Sequence, residues 1–125
     1  MDKVKFPFSY NKKKYMIWVW KGDYINLGAG AELGIYYGGE PHWRVDKKLS
    51  MNMTLKVYYK NRCIISYSKK TWWITGFNPS YMNIKAKDLK VYYTVKFTTR
   101  YLFDAFKNCN YKGWTYNNNC ASYSF

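Results

Sequence analysis

Acidic residues are scarce in this chain: seven Asp and Glu stand against 21 Lys and Arg, a formal net charge of +14. A calcium loop needs closely spaced carboxylates, and no such cluster occurs. There is one histidine, His42, and no CxxC pair among the three cysteines, so a structural zinc site is not expected. No GxSxG elbow marks a serine nucleophile. Arginine is confined to Arg44, Arg62 and Arg100. Bidentate readout of phosphates or bases favours Arg, so the lysine-rich charge points to non-specific steering instead. No apolar run reaches the roughly 20 residues that a spanning helix needs. No signal of charged, apolar and then small residues opens the sequence, which is also how a domain cut from a longer exported protein reads. Ala and Leu are few, which disfavours a helical fold.

What is abundant is aromatic. Aromatics are 22% of the 125 residues, Tyr foremost with 15, and hydrophobic residues are 48%. That is enough apolar surface to exclude global disorder, and the length suits a single domain over 1–125. Tyr, Trp, Phe, Val and Ile favour strands.

Period-two alternation recurs along the chain. Lys3–Tyr10 reads as a strand, with a polar turn over Asn11–Lys14. In Tyr15–Trp20 large apolar side chains occupy both faces, as in a strand covered on both sides. Lys21–Asp23 is a turn and Tyr24–Leu27 a short extended piece. The run Gly28-Ala29-Gly30-Ala31-Glu32-Leu33-Gly34 lacks the GxGxxG order of a phosphate loop, and no helix pattern follows it. It is expected to bend or bulge the chain, or to admit a close neighbour. Gly38-Gly39-Glu40-Pro41 is expected as a loop.

Leu49 to Tyr59 alternates cleanly, one face apolar and the other mostly polar. A turn at Lys60-Asn61-Arg62 leads to a strand over Cys63–Ser68, and Thr71–Thr75 is strand-like again. Gly76 to Asp88 is mostly loop, because Pro79 bars regular pairing. Leu89 to Phe97 is a second one-sided strand. Then the period changes: Leu102, Ala105, Phe106 and Cys109 fall on one helical face. Thr98 or Thr99 would cap this helix, which should end near Asn108–Asn110. Trp114–Tyr116 and Ala121–Phe125 read as a closing pair of strands about an Asn-rich turn. No βαβ alternation and no internal repeat appears. The expected fold is mostly β, an antiparallel barrel or sandwich with one short C-terminal helix. A Cys109–Cys120 bridge would tie that helix to the last strand and leave Cys63 over.

Two constellations bear on chemistry. His42 and Arg44 lie with Asp23, Glu32, Glu40 and Asp46 in one stretch. His42 as a proton carrier, with Glu40, Arg44 or Asp46 assisting, is a candidate for metal-independent phosphodiester cleavage. The competing reading is a loop histidine flanked by Pro41 and Trp43, packed or solvated. The second constellation is aromatic residues interleaved with lysines. Lys69, Lys70 and Trp72 are the leading exposed candidates, joined by Lys21, Lys112 and Trp114. Such mixtures stack bases or seat at a headgroup layer. The competing reading puts one ring of each pair in the core and leaves the charge to solubility.

One set of segments carries a family resemblance: Trp20-Lys21-Gly22-Asp23-Tyr24 running on through Gly28 to Tyr36, then Leu49 to Leu55, then Trp72-Trp73-Ile74-Thr75-Gly76-Phe77. Together they resemble the domain-of-unknown-function family numbered 4474, from about Phe6 to Phe106, with weaker support from Asp104-Ala105-Phe106. The resemblance implies an exported or surface protein of Gram-positive bacteria, similar in setting to toxin or effector modules. It transfers no catalytic residue.

The leading expectation is a secreted, non-catalytic effector that binds an anionic partner: lipid, polymer such as a cell-wall polymer, or nucleic acid. A nuclease toxin using His42 and a self-associating structural domain remain as alternatives. No cofactor or metal is expected.

Overall fold

The computed structural model describes residues 4–22, 27–44, 46, 49–70 and 83–124. Strands β1 (Val4–Tyr10), β2 (Lys13–Lys21), β3 (Leu27–Tyr37) and β4 (Glu40–Arg44) form one sheet in chain order. The other strands are β5 (Met51–Tyr59), β6 (Arg62–Lys70), β7 (Lys90–Phe97), β8 (Trp114–Asn117) and β9 (Cys120–Ser124). They build a five-stranded sheet in the order β6-β5-β7-β9-β8. Every pairing is antiparallel. No strand pairing joins the two sheets among the described residues, so the fold is a sandwich and not a closed barrel.

Four hairpins share one turn geometry. Asn11 and Lys12, Gly38 and Gly39, Lys60 and Asn61, Asn118 and Asn119 all have positive φ, between 46° and 82°. Two-residue turns of this kind match the right-handed twist of the strands they join. Glycine and asparagine reach that region at little steric expense. The loop expected over Gly38–Pro41 is therefore a two-residue turn, with Glu40 and Pro41 already in β4. His42 stands on a strand, not in a loop. Pro41 is tolerated because β4 is an edge, where a missing N–H breaks no ladder.

The glycine run is not a bend or a bulge. Residues 28–34 lie inside β3 and pair without interruption with β2. Alternation sends Leu27, Ala29, Ala31 and Leu33 into the core and the intervening glycines outward. A Cβ on Gly30 would sit 2.1 Å from Trp18 Cζ2. The missing side chain makes room for an indole on the outer face.

The core lies between the sheets. Ile17 and Val19 share one buried cluster with Met51, Met53, Leu55, Val57, Val91, Val95 and Phe97, all nearly inaccessible. Burying a side chain of this size contributes about 1.5–3 kcal/mol. Two polar ties also cross the sandwich. The Tyr93 hydroxyl donates to the Trp20 carbonyl. Lys21 Nζ donates to the Leu89 carbonyl at 2.6 Å. Burial pushes the Tyr93 phenol well above its ordinary pKa, against a smaller opposing effect of a backbone hydrogen bond at Gly28.

Helix α1 (Arg100–Lys107) closes one end against β1, β7 and β9. Thr99 is its cap: Oγ1 accepts from the Leu102 amide at 3.2 Å. Leu102, Phe103 and Phe106 are buried, and the Phe106 ring lies 5.1 Å from Phe8 and 5.0 Å from Trp114, both edge to face. The expected Cys109–Cys120 bridge is absent, and Cys63, Cys109 and Cys120 are free thiols. Cys109 turns back toward the Ala105 carbonyl, 3.5 Å away, whereas Cys120 opens β9 opposite Lys96. The strand expected at Thr71–Thr75 lies outside the described residues. The loop from Gly76 is described only from Asn83, where a 3-10 turn, Ala86–Asp88, leads into β7.

Candidate functional site

The outer face of the five-stranded sheet follows from simple alternation. In β5 the apolar set faces inward, which leaves Asn52, Thr54, Lys56 and Tyr58 outward. In β7 the same rule leaves Lys90, Tyr92, Thr94 and Lys96 outward. Register then sets Lys56 opposite Tyr92 and Tyr58 opposite Lys90. Directly paired residues share a face, so cations and phenol rings alternate like squares on a board.

The β5–β6 turn adds Lys60 and Asn61, and the 3-10 turn before β7 adds Asp88. Together these seven residues line an open cleft of about 480 Å³. Its rings are held by each other: Tyr58 and Tyr92 meet edge to face, centroids 5.6 Å apart at 88°. Lys90 Nζ lies 5.8 Å from the Tyr92 centroid, within cation–π range. Three ammonium groups face one carboxylate. The cleft therefore offers net positive charge and exposed phenol to a ligand. No group of three or more metal-ligating side chains occurs among the described residues.

The residues singled out in the sequence fall in several places. Glu40, His42 and Arg44 occupy alternate positions of β4, so all three lie on one side of it. Both Glu40 and His42 are exposed, and the His42 ring stacks flat on Tyr37 at 3.5 Å and 5°. Asp46 follows the strand, half-buried, and its carbonyl accepts from the Leu49 amide at 3.2 Å. Burial first, and the Asp46 charge second, raise the pKa of Tyr15. Asp46 thus lies within electrostatic reach of Tyr15. Asp23 lies outside the described residues, and Glu32 is on the outer face of β3 beside Trp18 and Trp43.

Among the binding candidates, Lys69 and Lys70 end β6, opposite Met53 and Asn52. Trp72 lies outside the described residues. Lys112 is exposed in the turn before β8. Lys21 is half-buried and bonded across the sandwich to Leu89. Trp114 is not an exposed ring. It is 7% accessible, packed against Phe6, Phe106 and Tyr123, and so serves the core. Inward alternation on β8 puts it there, opposite Tyr123 of β9.

A family model described as Domain of unknown function (DUF4474) matches residues 1–121. The chain belongs to that family. The DUF4474 match runs past α1 and into β9, so it takes in both sheets and the whole lysine–tyrosine cleft. No curated protein and no solved structure matches the chain.

The aromatic–lysine mixtures read from the sequence do not include Lys56, Lys90 or Tyr92. The signal was present in two places: both one-sided strands carry Lys and Tyr two apart on the polar face. Only the pairing of β5 with β7 joins them into one surface.

Proposed function

We propose that this domain binds an anionic polymer or surface without catalysis, through the cleft of Lys56, Tyr58, Lys60, Lys90 and Tyr92. The observation that carries this reading is the convergence on one cleft of three lysines and two tyrosines, from β5, β7 and the β5–β6 turn, with a single carboxylate, Asp88, among them. The net charge of +14 would speed encounter with any polyanion. The proposed setting, a secreted effector or toxin-like module of Gram-positive bacteria, is drawn from the family resemblance.

Inorganic polyphosphate is a suitable probe because it carries charge without sugar or base. Binding should weaken steeply with salt. Substituting Lys56→Gln with Lys90→Gln should flatten the slope of log K against log salt by roughly two. Unchanged affinity in that variant would remove the cleft from the reading.

A second reading has one observation in its favour: Glu40, His42 and Arg44 lie on one side of β4. A metal-independent nuclease would use His42 to move the proton and Arg44 to hold the phosphate. RNA incubated with the protein and a chelator should then be cut, and His42→Ala should stop it. The cleft is preferred because residues of two strands and two turns converge on one open concavity there.

A further inference from the structure

One register step along β5 and β7 from Lys56 and Tyr92 of the cleft, a row of hydroxyls crosses the sheet. The registers place Ser68 opposite Thr54, Thr54 opposite Thr94, Thr94 opposite Ser122, and Ser122 opposite Thr115. Each of the five strands contributes one hydroxyl to this line. At about 4.8 Å between strands it spans roughly 19 Å. The next register down on β5 and β7 is Lys56 with Tyr92, in the cleft. The next register up is Asn52 with Lys96. Lysines thus flank the hydroxyl row on both sides.

The row is ordered. Thr54 Oγ1 and Ser68 Oγ lie 2.8 Å apart, and Thr94 Oγ1 and Ser122 Oγ lie 3.0 Å apart. Two hydroxyls bring two protons to each pair and spend one between them. One O–H per pair, and the unused lone pairs, remain for a ligand.

We infer that the outer face of the five-stranded sheet binds an acidic polysaccharide laid across the strands. The inference rests on the polyanion reading above and names its ligand class. Sugar hydroxyls both donate and accept, as do Ser and Thr, so the row and a glycan chain are chemically matched. A pyranose ring is about as long as the gap between adjacent strands, so successive sugars meet successive hydroxyls. Carboxylate or phosphate groups on the glycan meet Lys96 on one side and Lys56 and Lys90 on the other. Tyr92, at 39% accessible, offers a ring face to sugar C–H groups. A membrane would call for large apolar side chains at the centre of this face, where hydroxyls stand instead. Base readout would favour Arg, and every basic residue at the outward positions of β5 and β7 is Lys.

The test compares two probes on the full chain, polygalacturonate and polyphosphate, at matched charge and salt. Thr54→Val with Thr94→Val keeps side-chain shape on a strand and removes two central hydroxyls. Polygalacturonate binding should weaken about tenfold in this variant, the value of one to two hydrogen bonds. Polyphosphate binding should be unchanged, and circular dichroism should confirm the fold. Lys56→Gln with Lys90→Gln should weaken both probes. Equal effects of the threonine variant on both probes, or none on either, would overturn the glycan assignment and leave the polyanion reading standing. So would single-stranded RNA binding more tightly than polygalacturonate through the same threonines. Absence of salt-dependent binding to either probe would overturn both.

Discussion

The outer face of the five-stranded sheet carries Lys56, Tyr58, Lys90 and Tyr92, whereas that of the four-stranded sheet carries Met16, Trp18, Trp20 and Trp43. The first is solvated and cationic. The second is packed at its centre: Trp18 is 5% accessible, stacked on Trp20 at 5.2 Å and 26°, with its ring over Gly30, while Met16, Trp20 and Trp43 around it are half-buried. The same alternation rule built both faces. On one it left lysines and tyrosines exposed to solvent, and on the other it packed an indole against the sheet.

The contrast is most sharply tested at Gly30. Gly30→Ala puts a methyl where the Trp18 ring lies, and should destabilise the chain by about 2–3 kcal/mol. Strand propensity favours Ala over Gly by less than that, so the clash wins. Chemical denaturation would measure it. Adding Trp18→Ala should then cost less than the sum of the two changes, since the pair are in contact.

Next in size is the joint between the sheets. Tyr93→Phe leaves the Trp20 carbonyl without the phenol and should cost about 1–2 kcal/mol. The pH dependence has a definite sign. In the folded chain Tyr93 keeps its proton above the ordinary value of 10.0, and Tyr15, Tyr111 and Tyr116 shift the same way, each mainly through burial. The unfolded chain releases those protons first. The stabilisation is therefore full below about pH 10 and is lost as pH rises beyond it. Thermal unfolding followed from neutral pH upward should show the loss, and Tyr93→Phe should flatten it.

The smallest expected effects lie on the solvated face. Lys60 sits in a turn at φ 50°. Lys60→Gly relieves that conformation, partly offset by glycine's freedom when unfolded, for a net gain of about 0.5 kcal/mol. The same change should weaken polyphosphate. Thr94→Val should stay within about 0.5 kcal/mol. A larger loss there would mean that this face, too, is built for stability.

Legibility in the sequence followed the same divide. Met51 to Tyr59 and Leu89 to Phe97 alternate so cleanly that strand, inward face and outward face are all readable from the residues. The helix and a threonine cap were readable for a similar reason, a change of period beside hydroxyl residues, although the choice of Thr99 over Thr98 came from the structure. Glycine carries no such sign. Gly28, Gly30 and Gly34 have no side chain to show which way they face, and what explains Gly30 is an indole a dozen residues earlier. The Gly38-Gly39 pair hid a strand start because proline follows so soon, and an edge position is set by topology. The candidate cleft needed long-range pairing for the same reason: Lys56 and Tyr92 are neighbours only once β5 and β7 have met.

The four tight hairpins also bear on how the chain finds this arrangement. Each joins strands that are adjacent in sequence, and such units close in about 1–10 μs. The β5–β7 ladder instead links segments separated by more than thirty residues, and pairing over such a span waits on loop closure. Hairpins should therefore be in place before the five-stranded sheet is complete. The pairing of β7 with β5, which brings the lysine–tyrosine cleft into being, is the expected slow step in completing that sheet.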